Sequence, residues 1–417
     1  GVRLVEVEGL AADRLDLTEG SAALVRPDQY VAARWKKADP AAVEQALDRA
    51  GRTRFGVGDG GDLAFVPHHA YESEGGPVQH AREGRIRARG LADTCVSWLP
   101  GPARAAMPLL DGMARRWLTR SQSPYVQEIQ AIAVALGFPG IWFLNGSYQW
   151  SCTALAREEG GVPWLARTLD WPFPGLGRFV EIARMRGAAG EFFNVTWPGY
   201  VGVLSGLAPG RFGASINQGP LRRRTHFRLL RPMDFAINGL STMLWQRSIP
   251  PDQLLRFVFE EASDYHEAKR MLEMTPIARP VIFTLAGCHK GERCVIERTE
   301  TDFTTRIDDF GAANDWLEQQ RGWEGRISAN QMLTVSYKQA TDKSVARRTG
   351  LASFKGSFAR ESFTWVAPPV LNPYTRMAVE MCAATGVLRV VGYERQGGEL
   401  PTPATLPCEV QAEKLPA

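Results

Sequence analysis

Two apolar strand signals joined across Glu158-Glu159-Gly160-Gly161 constrain this chain more than any other stretch of it. Thr153-Ala-Leu-Ala-Arg157 has the composition of a short buried strand, and Pro163-Trp-Leu-Ala-Arg-Thr-Leu-Asp-Trp171 reads as the strand returning beside it. A glycine turn between them predicts a hairpin, which brings Arg167 and Asp170 back towards Ser151 and Cys152. Two readings of that corner stay open on the spacing. In one, Cys152 is a buried strand cysteine, as cysteines commonly are, and Arg167 and Asp170 form an ordinary ion pair. In the other, the bond before Cys152 is cut and Cys152 becomes a new N-terminus carrying both a thiol and a free α-amine. That amine titrates near pH ~8 and the thiol near ~8.5, so a nucleophile and a proton acceptor of matched strength share one residue. Asp170 would then hold the amine, and Arg167 would favour the thiolate, because a neighbouring cation lowers a thiol pKa.

Further blocks follow in order. Gly199-Tyr-Val-Gly-Val-Leu-Ser-Gly-Leu-Ala-Pro-Gly210 leads into Ala214-Ser-Ile-Asn-Gln218. Tyr265-His-Glu-Ala-Lys-Arg-Met-Leu272 precedes Ala278-Arg-Pro-Val-Ile-Phe-Thr-Leu-Ala-Gly287, Gly291-Glu-Arg-Cys-Val-Ile-Glu-Arg298 and Pro369-Val-Leu-Asn372. With the hairpin, these blocks resemble the acid ceramidase and N-acylethanolamine acid amidase family. That family belongs to the N-terminal-nucleophile (Ntn) hydrolases, which include penicillin V acylase and bile-salt hydrolase. The likeness spans residues 125 to 393 and is loose over the first hundred residues.

The resemblance implies an α+β fold, a four-layer αββα sandwich, with an N-terminal mixed α/β segment packed against it. It also implies self-cleavage between Ser151 and Cys152 into segments 1–151 and 152–417, which stay associated. Cys152 would be the nucleophile, with Arg167 and Asp170 orienting it and Asn217 supplying a side-chain amide to the oxyanion, a donor typically worth ~10²–10³ in rate. Arg347, in Ala346-Arg-Arg-Thr349, matches the first arginine of the family's Asp-Asp-Arg-Arg-Thr motif, with Arg348 as the other candidate. Val335-Ser336-Tyr337 is taken to stand where the family has Thr-Asn-Tyr, making Ser336 the catalytic candidate there with a hydroxyl in place of an amide. Gln218 replaces an acid, and Ala346 an aspartate. Trp171, Gln218, Arg222 and Arg223 are the expected substrate contacts. The implied activity is hydrolysis of a linear N-acyl amide through an acyl-cysteine. The alternatives are transfer of the acyl group to an amine and an uncut binding protein on a degenerate scaffold.

Composition bounds the partners. With 49 basic and 45 acidic residues the charge is nearly balanced, which gives no general case for nucleic acid. The run Arg222-Arg-Arg-Thr-His-Phe-Arg-Leu-Leu-Arg231 reads either as an acidic-head-group site built of arginine forks or as a solvated loop. The six cysteines are irregularly spaced and lack a Cys-x-x-Cys pair; Cys288-His289 with Cys294 reads as two cysteines flanking a hairpin turn, structural or joined in a chance disulfide, in preference to a metal cluster. His68-His69 has no ligand spacing beside it, so no metal or cofactor is expected. Gly56-Val-Gly-Asp-Gly-Gly61 lacks the lysine of a nucleotide loop and reads as a turn. No run approaches the ~18 apolar residues of a membrane span, and the chain as given reads as a soluble, cytoplasmic one, as it also would after loss of a leader. Helix periodicity is expected over 40–49, 104–120, 125–136, 234–245 and 249–261, and strands over 1–7, 281–285 and 294–297. Trp142, Phe143, Tyr148, Trp150, Trp171 and Phe173 suit either an acyl pocket or a core.

Overall fold

The computed structural model describes residues 18, 21–25, 31–37, 39, 63–71, 75–97, 101–147, 151–225, 227–307, 310–326, 331 and 333–412. The chain separates into two compact units, 1–62 and 63–417. In the first, an antiparallel pair is described, β1 (Ala22–Val25) with β2 (Val31–Trp35). The strand expected over 1–7, the helix over 40–49, the turn at 56–61, Tyr148 and Trp150 lie outside the described residues. The bond between Ser151 and Cys152 lies inside the second unit.

Two sheets form the middle of that unit. The larger takes the order β13-β12-β11-β9-β8-β7-β6-β3, from β3 (His68–Ala70), β6 (Glu181–Gly187), β7 (Gly190–Thr196), β8 (Ser205–Ala208), β9 (Phe212–Gln218), β11 (Val281–Ala286), β12 (Arg293–Arg298) and β13 (Phe303–Arg306). The smaller takes the order β17-β16-β15-β5-β4, with β18 also on β16. Its strands are β4 (Ser151–Glu159), β5 (Val162–Asp170), β15 (Thr375–Cys382), β16 (Val387–Glu394), β17 (Thr402–Pro403) and β18 (Cys408–Gln411). A short pair, β10 (Leu221–Arg222) with β14 (Trp323–Glu324), stands apart.

Helices α1 (Pro77–Glu83), α2 (Arg85–Val96), α3 (Gly101–Ala105), α4 (Met107–Leu118), α5 (Val126–Leu136) and α6 (Ile141–Gly146) precede the hairpin. After it come α7 (Leu176–Phe179), α8 (Arg231–Trp245), α9 (Pro251–Glu261), α10 (Tyr265–Met274) and α11 (Tyr337–Ala352). The expected helix over 104–120 is divided into α3 and α4; those over 125–136, 234–245 and 249–261 start within a few residues of their expected places.

Strand alternation explains how these layers stack. On β9, Phe212 stacks on Phe259 of α9 at 4.8 Å between ring centres, so even-numbered positions face helices. Gly213 points the other way, where a Cβ would lie 3.0 Å from Met381 of β15. Helices α9 and α10 thus cover one face of the large sheet, the small sheet lies on its other face, and α11 packs beyond β4. The result is an αββα sandwich. Among the described residues, no helix is long and apolar enough to cross a membrane.

The hairpin β4–β5 turns on Gly160 and Gly161, both left-handed at φ 62° and 85°. Two such residues give the tight turn whose twist suits paired strands, a conformation only glycine adopts without strain. Its register sets Cys152 opposite Leu169, Thr153 opposite Thr168 and Ala154 opposite Arg167.

Candidate active site

Because β4 is the edge of its sheet, its outward backbone groups need partners from elsewhere. Ala154 obtains them from Ala312, exchanging N–H···O bonds of 2.8 and 2.7 Å. Two residues back, the ladder stops. There the N–H of Cys152 donates not to a backbone carbonyl but to the side chain of Asn314, at 2.9 Å from Oδ1. The nitrogen that would become a free amine is therefore the one held by a side chain.

Around this point the strand's two faces do different things. Cys152, Leu165, Leu169 and Met381 belong to the core between the sheets, and Cys152 is fully buried. Arg167 lies on the same face and is also fully buried. Its Nη2 is 3.0 Å from the thiol Sγ and 3.1 Å from the carbonyl of Ile216, while Nη1 donates to Ser205 Oγ at 2.7 Å. One guanidinium thus ties β5 to β8 and β9 with the thiol beside it.

On the outer face sits Asp170. Its carboxylate accepts from Asn372 Nδ2 at 2.8 Å and Thr375 Oγ1 at 2.9 Å, and lies 3.7 Å from Arg347 Nε. Arg347 also donates to Thr153 Oγ1 at 3.2 Å and to Asn314 Oδ1 at 2.7 Å. Arg348, one position on, points away and pairs with Asp315 at 3.0 Å, so of the two arginines it is Arg347 that reaches this corner.

Burial raises the thiol pKa of Cys152; Arg167 pulls it down and the charge of Asp170 adds to the rise, with burial winning. Arg167 therefore moderates rather than creates the thiolate in the uncut chain. The Asp170 carboxyl is likewise raised by burial, against the pull of Arg347, Asn372 and Thr375.

Asn217 occupies an odd-numbered position of β9, on the side facing the small sheet. Its Nδ2 donates to the carbonyls of Ala312 and Ala313, each at 3.2 Å, so in this state both amide hydrogens are engaged. Asn314 Nδ2 donates to the Gln218 carbonyl at 2.8 Å. The segment 312–314 is thereby fastened to both sheets beside Cys152.

Ser336 stands at the start of α11. It is the N-cap of α11, its Oγ accepting from Gln339 N at 3.1 Å while Gln339 Oε1 takes the Ser336 N–H at 2.8 Å. The side-chain amide at the Cys152 nitrogen is that of Asn314. Ser336→Ala is accordingly expected to cost about 1 kcal/mol of stability, read as a lower denaturation midpoint, with nucleophile chemistry unchanged.

Within the arginine run, Arg222 and Arg224 are exposed, Arg223 is half-buried and Arg231 is buried. Arg222 lies over the Trp323 ring at 4.8 Å and 3.6 Å from Glu300, and Arg223 lies over Tyr337 at 3.8 Å. Arg231 is buried against Glu324 at 3.2 Å. Arg222 and Arg223, the expected substrate contacts, thus each lie over an aromatic ring, Arg222 with its side chain 46% exposed. Trp171 is buried beside Trp197 and Phe173, at 6.4 and 6.2 Å between ring centres, and Trp142 is a core residue. All six cysteines are free thiols. Asn314, Asn372, Thr375 and Ser205 are at the site with no role assigned to them from the sequence. Asn372 lies in a quoted block, but Asn314 stands in an irregular stretch with only Ala-Asn-Asp-Trp to mark it.

No protein-family model matches the chain. It is 26% identical over 277 residues to the N-acylethanolamine-hydrolyzing acid amidase of Cavia porcellus, covering 63% of this chain and 71% of that one. It is 35% identical over 223 residues to the acid ceramidase of Mus musculus, covering 47% of this chain and 53% of that one. The chain thus spans about half the length of the acid ceramidase it matches. Among solved structures, the Caenorhabditis elegans N-acylethanolamine-hydrolyzing acid amidase ortholog aligns with a TM-score of 0.40 at 18% identity, over 56% of this chain and 93% of that one.

Proposed function

The chain belongs with the acid ceramidases and N-acylethanolamine-hydrolyzing acid amidases in the Ntn-hydrolase family, and from that kinship we propose that it is a self-cleaving cysteine amidohydrolase acting on a linear N-acyl amide. The observation that carries this reading is the placement of Cys152, with its backbone nitrogen on Asn314 Oδ1 and its sulfur against Arg167 Nη2.

In the cut, the thiol attacks the Ser151 carbonyl, the C–N bond breaks, and the nitrogen leaves as the α-amine of Cys152. Water then hydrolyses the Ser151 thioester, freeing the thiol. The two segments stay together because the hairpin and the helices before it share one core. In turnover, the amine takes the thiol proton, sulfur attacks the acyl carbonyl, and the ammonium returns that proton to the departing amine. Water, deprotonated by the same amine, resolves the acyl-cysteine. Arg167 balances charge at sulfur, and Asp170, through Arg347 and Asn314, fixes the amine. Asn217 serves the oxyanion once its Nδ2 leaves the Ala312 and Ala313 carbonyls.

The test is a series of N-acyl amides of increasing acyl length, with released amine and free acid both quantified. Equal release of the two, growing with chain length, is the expected result. Acyl groups appearing on an added amine in place of free acid would move the assignment to acyl transfer. No release from fully cut protein across the series would remove the amidase assignment.

A further inference from the structure

We propose that His69, His80 and Glu181 form a binding site for a divalent first-row transition metal, with zinc as the defining probe. The three residues come from separate segments. His69 is on β3, His80 on α1, and Glu181 opens β6, which pairs in parallel with β3. One ligand atom from each lies within 4.8 Å of the others. His80 Nε2 stands 3.0 Å from Glu181 Oε1, and His69 Nε2 stands 3.9 Å from Oε2.

Two imidazoles and a carboxylate are a ligand set of the catalytic-zinc type, which leaves a fourth position for water. Zinc bonds of ~2.0–2.1 Å place tetrahedral ligand atoms ~3.4 Å apart, between the two separations seen here.

The surroundings favour a cation. Glu181 is wholly buried, yet its Oε2 accepts no hydrogen bond. A carboxylate out of water calls for compensation by positive charge. Arg87 Nε supplies some at 3.6 Å from that oxygen, but its Nη2 is anchored to the carbonyls of Val180 and Arg178 at 3.1 and 3.3 Å, so it need not move when an ion enters. The ring of Tyr71 lies 4.7 Å from that of His80, and a cavity of about 10 Å³ borders both, space on the scale of one water. The His69 side chain is 20% exposed, which gives an ion a way in.

If the chain is cut before Cys152, a consequence that rests on the proposed function, His69 and His80 belong to one fragment and Glu181 to the other. A metal would then clip the N-terminal fragment to the edge of the large sheet. Binding of the ion itself does not require the cut.

Chelator-treated full chain, wild type and Cys152→Ala, would be titrated with Zn²⁺ at pH 7.5 by calorimetry and metal analysis, with thermal unfolding followed in parallel. The expected result is one zinc per chain in both, a melting temperature that rises with free zinc, and at least tenfold weaker binding in His69→Ala and Glu181→Gln. The Cys152→Ala arm separates metal binding from cleavage. His69→Ala keeps the test readable if Glu181→Gln fails to fold, because His69 is the most exposed of the three. No zinc retained by wild type would overturn the site in favour of a plain His80–Glu181 ion pair. One zinc retained equally by His69→Ala and His80→Ala would overturn it in favour of binding elsewhere.

Discussion

Replacing Cys152 by alanine is expected to leave a single uncut chain of 417 residues and to lower amide hydrolysis by at least ~10³-fold, because it removes the thiol that would attack and carry the acyl group. The other five cysteines are too scattered to substitute for it, and Cys382, the other fully buried one, is the natural control. In the uncut chain the Cys152 nitrogen is an amide with no basicity, and burial holds the thiol above its ordinary pKa. Cleavage should therefore be slower than turnover, which has the free amine as base. Intact mass under denaturing conditions checks the cut: wild type should yield fragments 1–151 and 152–417, and Cys152→Ala neither. Cys152→Ser should cut detectably but slowly, since a hydroxyl is the weaker nucleophile. The fold should survive, because Arg167 Nη2 keeps the Ile216 carbonyl when the sulfur is gone. A Cys152→Ala chain cut at the same bond would remove the thiol from the mechanism.

The hairpin that makes this residue special was readable because two glycines and an apolar alternation are local signals. Its surroundings were not. The β5–β15 pairing joins Asp170 to Thr375, and no periodicity in either strand names its partner. Arg347 and Arg348 differ by one helical step of about 100°, so a motif alone cannot say which reaches Asp170. The capping box that Ser336 forms is itself a local signal, since Ser336-Tyr-Lys-Gln339 matches the capping-box pattern. His69, His80 and Glu181 converge only through a parallel strand pair and a helix, so their sequence spacing is uninformative. Short-range chemistry was legible, while contacts made across sheets depended on topology the sequence does not display.

Asn314 is the sharpest case, and its replacement carries the second large effect. Its Oδ1 accepts from Cys152 N and Arg347 Nη2, its Nδ2 donates to the Gln218 carbonyl, and its own N–H donates to Ser344 Oγ at 2.7 Å. One side chain thus positions the Cys152 nitrogen, the outer-face arginine and the end of β9 together. After the cut, Oδ1 would take one hydrogen of the α-amine and leave its lone pair for the thiol. Asn314→Ala removes that aim, and a misplacement on the 1 Å scale costs on the order of 10²-fold in rate. The expected outcome is therefore slow cleavage and a kcat/KM about 10²-fold down, with the fold retained as judged by circular dichroism. Asn314→Asp separates positioning from folding, because it keeps an acceptor oxygen at the amine but makes it anionic. An adjacent anion stabilises the ammonium and raises its pKa, so the free base needed for catalysis appears only at higher pH. The rising limb of the pH profile of kcat/KM should consequently move upward in Asn314→Asp, a shift that simple destabilisation would not produce. An Asn314→Ala enzyme that cuts and turns over within threefold of wild type would show that the nitrogen is aimed by the strand alone.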